Sequence, residues 1–139
     1  MANEANKLQQ LEDRYFQAVI ADGSDGTNIT AGSLMVYDTS ADNTVKLSST
    51  DGELFAGILN HDKKGGDGST TVGLSTRDVW NITISPGATA VMGHPMKIIG
   101  ANLIGLADDT SITGSSEWVG MALQAGTASE IIPVRLGHL

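Results

Sequence analysis

From Phe16 to Leu136 the apolar residues fall into short runs divided by clusters of Gly, Asp, Asn, Ser and Thr. Phe16-Gln17-Ala18-Val19-Ile20 stops at Asp22-Gly23-Ser24-Asp25-Gly26, a dense group of turn residues. Further β-prone runs follow at Leu34 to Tyr37, Val45 to Leu47, Leu54 to Leu59, Thr70 to Leu74 and Val79 to Ile84. The second half continues with Met96 to Ile99, Leu103 to Leu106, Trp118 to Leu123 and Ile131 to Leu136. Short runs spaced by roughly 8 to 12 residues predict an all-β barrel or sandwich. Alternation in Leu34-x-Val36 and Val45-x-Leu47 turns those four residues inward. The same reading places Ile58, Leu74, Ile82, Ile98, Ile104, Val119, Leu123, Val134 and Leu136 in the core.

The N-terminal stretch has a different pattern. Ala2 to Tyr15 is polar apart from Leu8, Leu11 and Tyr15, whose i, i+3, i+7 spacing puts them on one face of a short helix. Three turns are marginal alone, so the stretch is expected to be an extended or short-helical arm that orders against a partner, the alternative being a helix that caps the domain's own core. The chain thus divides into an N-terminal arm, 1–15, and a β domain, 16–139.

The two halves of the β region echo one another. Gly32-x-x-Met35 parallels Gly93-x-x-Met96, and Asn43-x-Val45-x-Leu47 parallels Asn102-x-Ile104-x-Leu106. Phe55-Ala56-Gly57 parallels Trp118-Val119-Gly120, and Val72-x-Leu74 parallels Val134-x-Leu136. Four matches in the same order predict two similar β units in one domain. The glycine after each aromatic allows a bulge or a close backbone approach.

Composition narrows the chemistry. Eight Lys and Arg stand against 16 Asp and Glu in 139 residues, a net charge of -8. Nucleic-acid binding draws its affinity from clustered cations, so no nucleic-acid partner is expected. With no cysteine, disulfides, zinc-thiolate sites and thiol catalysis are excluded. No window approaches the roughly 18 to 20 apolar residues of a membrane span. The N-terminus lacks the pattern of a secretory signal, which points to synthesis in a cytoplasm.

No catalytic, cofactor or metal site is expected. His61, His94 and His138 have no metal-ligand spacing and no Gly-x-Ser-x-Gly elbow beside them. Asp22-Gly-Ser-Asp25-Gly-Thr-Asn28 and Gly65-Gly66-Asp67-Gly68 resemble calcium loops but lack a full ligand set, so both read as turns. Every glycine cluster lies between strands instead of leading into a helix, which excludes a phosphate cradle. Trp80 and Trp118 read as core or interface anchors. A glycan platform on either residue is the competing reading, that of a carbohydrate- or receptor-binding β module of a viral tail or secreted protein.

Ile29-Thr-Ala-Gly32-Ser-Leu-Met-Val36, Glu53-Leu-Phe-Ala-Gly57-Ile and Val91-Met-Gly-His-Pro-Met-Lys-Ile98 lead on to Trp118-Val-Gly-Met-Ala-Leu123 and Ile131-Ile-Pro-Val-Arg-Leu136. This order resembles the capsid cement, or head decoration, proteins of tailed bacteriophages and related viruses. The resemblance spans roughly Thr30 to Leu139; the arm has no counterpart in it. It implies a β-rich structural virion protein that binds the outer surface of an icosahedral capsid and stabilises it. The implied partners are the major capsid protein and further copies of the chain, as a homotrimer on the capsid. An acidic, catalytically bare chain suits that role. Leu8, Leu11 and Tyr15 are the expected capsid-binding residues, the two leucines each gaining about 1.5 to 3 kcal/mol if fully buried.

Overall fold

The turn clusters hold the strands short, and the chain closes them into two rings. The structure, a computed structural model, describes residues 3–9, 15–20, 28–107 and 117–137. Among these residues there is no α-helix. The strands of the first half are β1 (Asn6–Gln9), β2 (Tyr15–Ile20), β3 (Leu34–Tyr37), β4 (Thr44–Leu47), β5 (Phe55–Leu59) and β6 (Thr71–Ser75). Those of the second are β7 (Val79–Ile84), β8 (Pro95–Gly100), β9 (Leu103–Leu106), β10 (Trp118–Ala122) and β11 (Ile131–Leu136).

A closed barrel takes the order β2-β4-β3-β5-β6. The second sheet runs β1-β7-β11-β10-β8-β9, and a β7–β9 pairing joins its ends into another five-strand ring with β1 outside it. The two rings have the same connectivity. In each, the first strand pairs parallel with the third and antiparallel with the fifth. The second strand pairs antiparallel with the third and fourth, and the fourth with the fifth.

The register aligns the halves residue by residue. Met35 opposes Leu47 and Gly57, as Met96 opposes Leu106 and Gly120. Asn43 and Asn102 both sit at positive φ, as do Gly32 and Gly93. Even the isolated bridges correspond, Ile29 to Lys63 and Ala90 to Gly126. Three of the four sequence echoes hold at the expected positions. The fourth is displaced: Leu59 opposes Leu74 where Ala122 opposes Val134, so Leu74 matches Val134 and not Leu136. A two-residue slip keeps the same face of a strand, which is why the pattern could not fix it.

Each barrel has its own interior. Ala18, Ile20, Ile29, Met35, Val45, Ala56, Leu59, Val72 and Leu74 form one buried cluster. Their counterparts Ile82, Ile84, Ala90, Met96, Ile104, Val119, Ala122, Ile132 and Val134 all belong to the other. That second cluster also takes in Leu34, Val36 and Ile58 from the first barrel. Strand β3 is therefore buried on both faces, Met35 into its own barrel and Leu34 and Val36 toward the neighbour. Simple alternation leaves Met35 outside, yet it has no exposure at all.

The junction between barrels is partly polar. Asn102, fully buried in the β8–β9 turn, accepts a hydrogen bond from Leu34 N at 2.8 Å on its Oδ1. Its own backbone N–H donates to Ser48 Oγ at 3.0 Å. Gly52 N donates to Ile98 O at 3.1 Å, and Lys97 reaches Asp51 at 2.9 Å.

Most residues expected inside are buried, with Leu47 half-buried against the first barrel's cluster. Leu123 is the exception, at 44% exposure. The cause is a bulge: the register shifts between Trp118 and Gly120, so Val119 and Ala122 both face inward and Leu123 faces out. The same shift lies opposite Met35 and Val36 in the first barrel, where Ala56 is passed over.

Of the two forms expected for the N-terminal stretch, extended or short-helical, the described residues take the extended one. Asn6–Gln9 runs as a strand against β7, with Asn6 opposite Asn81 and Lys7 opposite Trp80. Tyr15 already lies in β2, opposite Ser75. A sheet edge satisfies the backbone of a short polar segment more readily than three unsupported helical turns can.

Candidate functional site

The residues expected to form one apolar stripe do not share one element. Leu8 lies in β1 of the six-stranded sheet and Tyr15 in β2 of the closed barrel, while Leu11 falls outside the described residues. The segment is fixed at Ala5, which is buried, donates its N–H to Gly32 O at 2.6 Å, and joins the second barrel's cluster. A Cβ on Gly32 would collide with the Ala5 carbonyl oxygen, whereas one on Gly93 would meet nothing within 4 Å. Of the two matching turns, only the one at Gly32 carries the N-terminal segment.

The histidines are not brought together. His61 is exposed, His94 is half-buried in the turn before β8, and His138 lies outside the described residues. Among the described residues, no group of three or more His, Asp or Glu could hold a metal. Asp22 and Asp25 fall outside the described residues. The Gly65-Gly66-Asp67-Gly68 turn wraps a cation of the chain's own. Lys63, only 4% exposed, donates its ammonium to Asp67 Oδ1 and to the Lys64 carbonyl, both at 2.8 Å. The hydrogen bond from Lys63, then that from Ser69 N, holds the Asp67 carboxyl below its usual value.

Two further carboxylates close turns. Asp38 accepts from the Ser40 hydroxyl at 2.7 Å and from Ser40 N at 3.0 Å, which lowers its pKa in that order of effect. Glu130 accepts from the Thr127 hydroxyl at 2.6 Å and Thr127 N at 2.8 Å, and is lowered in the same way.

Trp80 is 5% exposed, with its indole N–H donating to Arg77 O at 3.0 Å, so it presents no face to a sugar. Trp118 is half-buried and, with its counterpart Phe55, lines a cleft of about 150 Å³. Ala56, Thr76, Val119 and Gly137 complete that lining. The cleft lies where the β5 and β10 bulges meet, and it contains no charged side chain.

One surface was not anticipated by the sequence. Val91, Met92, Leu123 and Ile131 are 42%, 68%, 44% and 60% exposed. Main-chain hydrogen bonds hold their segments side by side: Ala90 with Gly126, Gly93 N with Ala122 O, and Leu123 N with Pro133 O. Of the four, the pattern assigns Leu123 to the core, and the bulge in β10 turns it outward. Ile131 lies on the outward phase of β11, and Val91 and Met92 lie in the turn closed by Gly93 at positive φ.

With this geometry the chain can be compared with known structures. It is similar to the crystal structure of the head fiber gp8.5 N base in bacteriophage phi29, with a TM-score of 0.53 and 18% identity. The match covers 89% of this chain and 93% of that one. The two share a fold. Neither a family model nor a curated protein matches this sequence.

Proposed function

We propose that this chain is a phage structural protein that attaches to the outside of an icosahedral head and stabilises it, as decoration proteins do. The supporting observation is the fold shared with a head fiber base, which extends over nearly the whole of both chains. The motifs from Ile29 to Leu136 that resemble cement proteins fall on or lead into β3, β5, β8, β10 and β11. A net charge of -8 keeps such a protein on the solvent side of the shell, since packaged nucleic acid would repel it. It acts by contact and not by catalysis, without nucleic acid or membrane as partner. Its partners are the major capsid protein and further copies of itself, as a homotrimer on the head.

Attachment is assigned to the N-terminal segment with Leu8, Leu11 and Tyr15. Leu11 lies between β1 and β2, which belong to different sheets. Purified chain mixed with emptied, expanded heads of its phage should pellet with them at a saturable ratio. Leu11→Asp should lower that ratio without changing the circular dichroism spectrum. A chain that stays in the supernatant at saturating concentration would overturn the proposal.

A further inference from the structure

The duplication supplies an internal control for surface composition. Away from the junction and the N-terminal segment, the two barrels place matched residues on equivalent backbone, so matched surface positions can be compared for side-chain character. Thr30, Ala31, Asn60 and Thr71 of the first barrel correspond to Val91, Met92, Leu123 and Ile131 of the second. In the first barrel none of the four is a large apolar residue. In the second all four are, and they account for most of the large apolar side chains exposed among the described residues. Solubility favours the polar set, so the apolar set calls for a partner that covers it.

Charge indicates which partner. The three segments of this face, 90–94, 122–126 and 131–133, contain no Asp, Glu, Lys or Arg, in a chain with 24 such residues. The adjacent Glu130 turns its carboxylate back onto Thr127. Two copies of a chain with net charge -8 repel across most of their surfaces. On this face they can meet without opposing carboxylates, and apolar burial supplies the attraction. A basic partner would gain more from the acidic surfaces elsewhere. We infer that the Val91, Met92, Leu123 and Ile131 face of the second barrel is the contact between copies of this chain. The inference deepens the proposed function by giving self-association a surface.

Four side chains form a small patch, far below the roughly 800 Å² per partner of a stable interface. Free chains therefore associate weakly, and closely spaced sites on a shell strengthen the contact through effective concentration. Sedimentation equilibrium of the free protein tests this without any heads, so its outcome is independent of the pelleting experiment. The weight-average mass should rise above the 14.4 kDa of one chain as concentration approaches about 1 mM. Met92→Asp and Ile131→Asp should each weaken association about tenfold or more, because each buries an unpaired charge. Thr71→Asp, at the position in the first barrel that matches Ile131, should leave it unchanged. A mass fixed at one chain throughout, or equal loss from Thr71→Asp, would overturn the inference. So would a Met92→Asp protein that associates like the parent, or one that loses only its pelleting with heads. The last result would place this face against the shell.

Discussion

Asn43 and Asn102 show how one residue can take two roles in a duplicated turn. Both hold positive φ, which asparagine tolerates better than most residues. Asn43 is exposed, and its side chain makes one long hydrogen bond, to Gln17 O at 3.4 Å. Asn102 is buried and satisfies the Leu34 N–H inside the junction. Asn102→Ala should therefore cost about 2 to 4 kcal/mol, from an unsatisfied buried donor plus backbone strain. Asn43→Ala should cost about 1 kcal/mol, from strain alone. Urea denaturation of the two variants measures the difference directly. The turn carboxylates act at the same scale. Asp38, Asp67 and Glu130 all have folded pKa values below their usual 3.8, 3.8 and 4.5. Their contribution is fully present above the usual values and is lost as pH falls through the lowered ones. The thermal midpoint should then fall below about pH 4, and the triple variant Asp38→Asn, Asp67→Asn, Glu130→Gln should show a shallower acid limb.

At the scale of elements, β1 sets the second barrel apart from the first, while both barrels carry the same bulge. The β7 edge is divided between β1, along Val79 to Asn81, and β9, along Thr83 and Ile84. Removing residues 1–9 uncovers part of that edge and takes Ala5 out of the cluster it shares with Trp80 and Leu34. The truncated chain should remain β-rich in circular dichroism but melt a few degrees lower, by roughly the 3 to 5 °C that 1 kcal/mol represents in a single cooperative unit of this size. An unchanged midpoint would show that β1 adds no stability. The bulges at Phe55-Ala56-Gly57 and Trp118-Val119-Gly120 require glycine for a reason visible in space. A Cβ on Gly57 would lie 2.9 Å from Ser75 O, and one on Gly120 would collide with Arg135 O. The close approach of neighbouring strands fixes both glycines.

Across the whole molecule, the junction joins unlike faces of the two barrels. The outer face of β3 and β5, with Ser48, meets the β8–β9 turn, while the matching β3–β4 turn at Asn43 stays exposed. Such a head-to-tail contact could in principle repeat with a further unit. The second barrel blocks it chemically: Pro95 stands where Leu34 donates its N–H, and Ala107 stands where Ser48 offers a hydroxyl. Since Leu34, Val36 and Ile58 share a cluster with the second barrel's interior, neither barrel can open without exposing the other. Calorimetry should record one transition, with calorimetric and van't Hoff enthalpies equal. Two resolved transitions would contradict a shared core.

The sequence by itself determined ten of the eleven described strands and the duplication. Both are local properties, carried by the length of apolar runs, the turn residues between them, and aromatic and glycine positions repeated in order. The candidate site was much less legible. Leu8, Leu11 and Tyr15 have helical spacing, yet an open strand edge more than sixty residues away in the chain draws Asn6–Gln9 into a sheet. Met35 and Leu123 are both apolar and β-prone, and only the tertiary structure sends one inside and the other out. The apposition of the barrels buries both faces of β3, and a one-residue bulge reverses the alternation in β10. Burial depends on which surfaces meet, and that is decided by contacts distant in sequence.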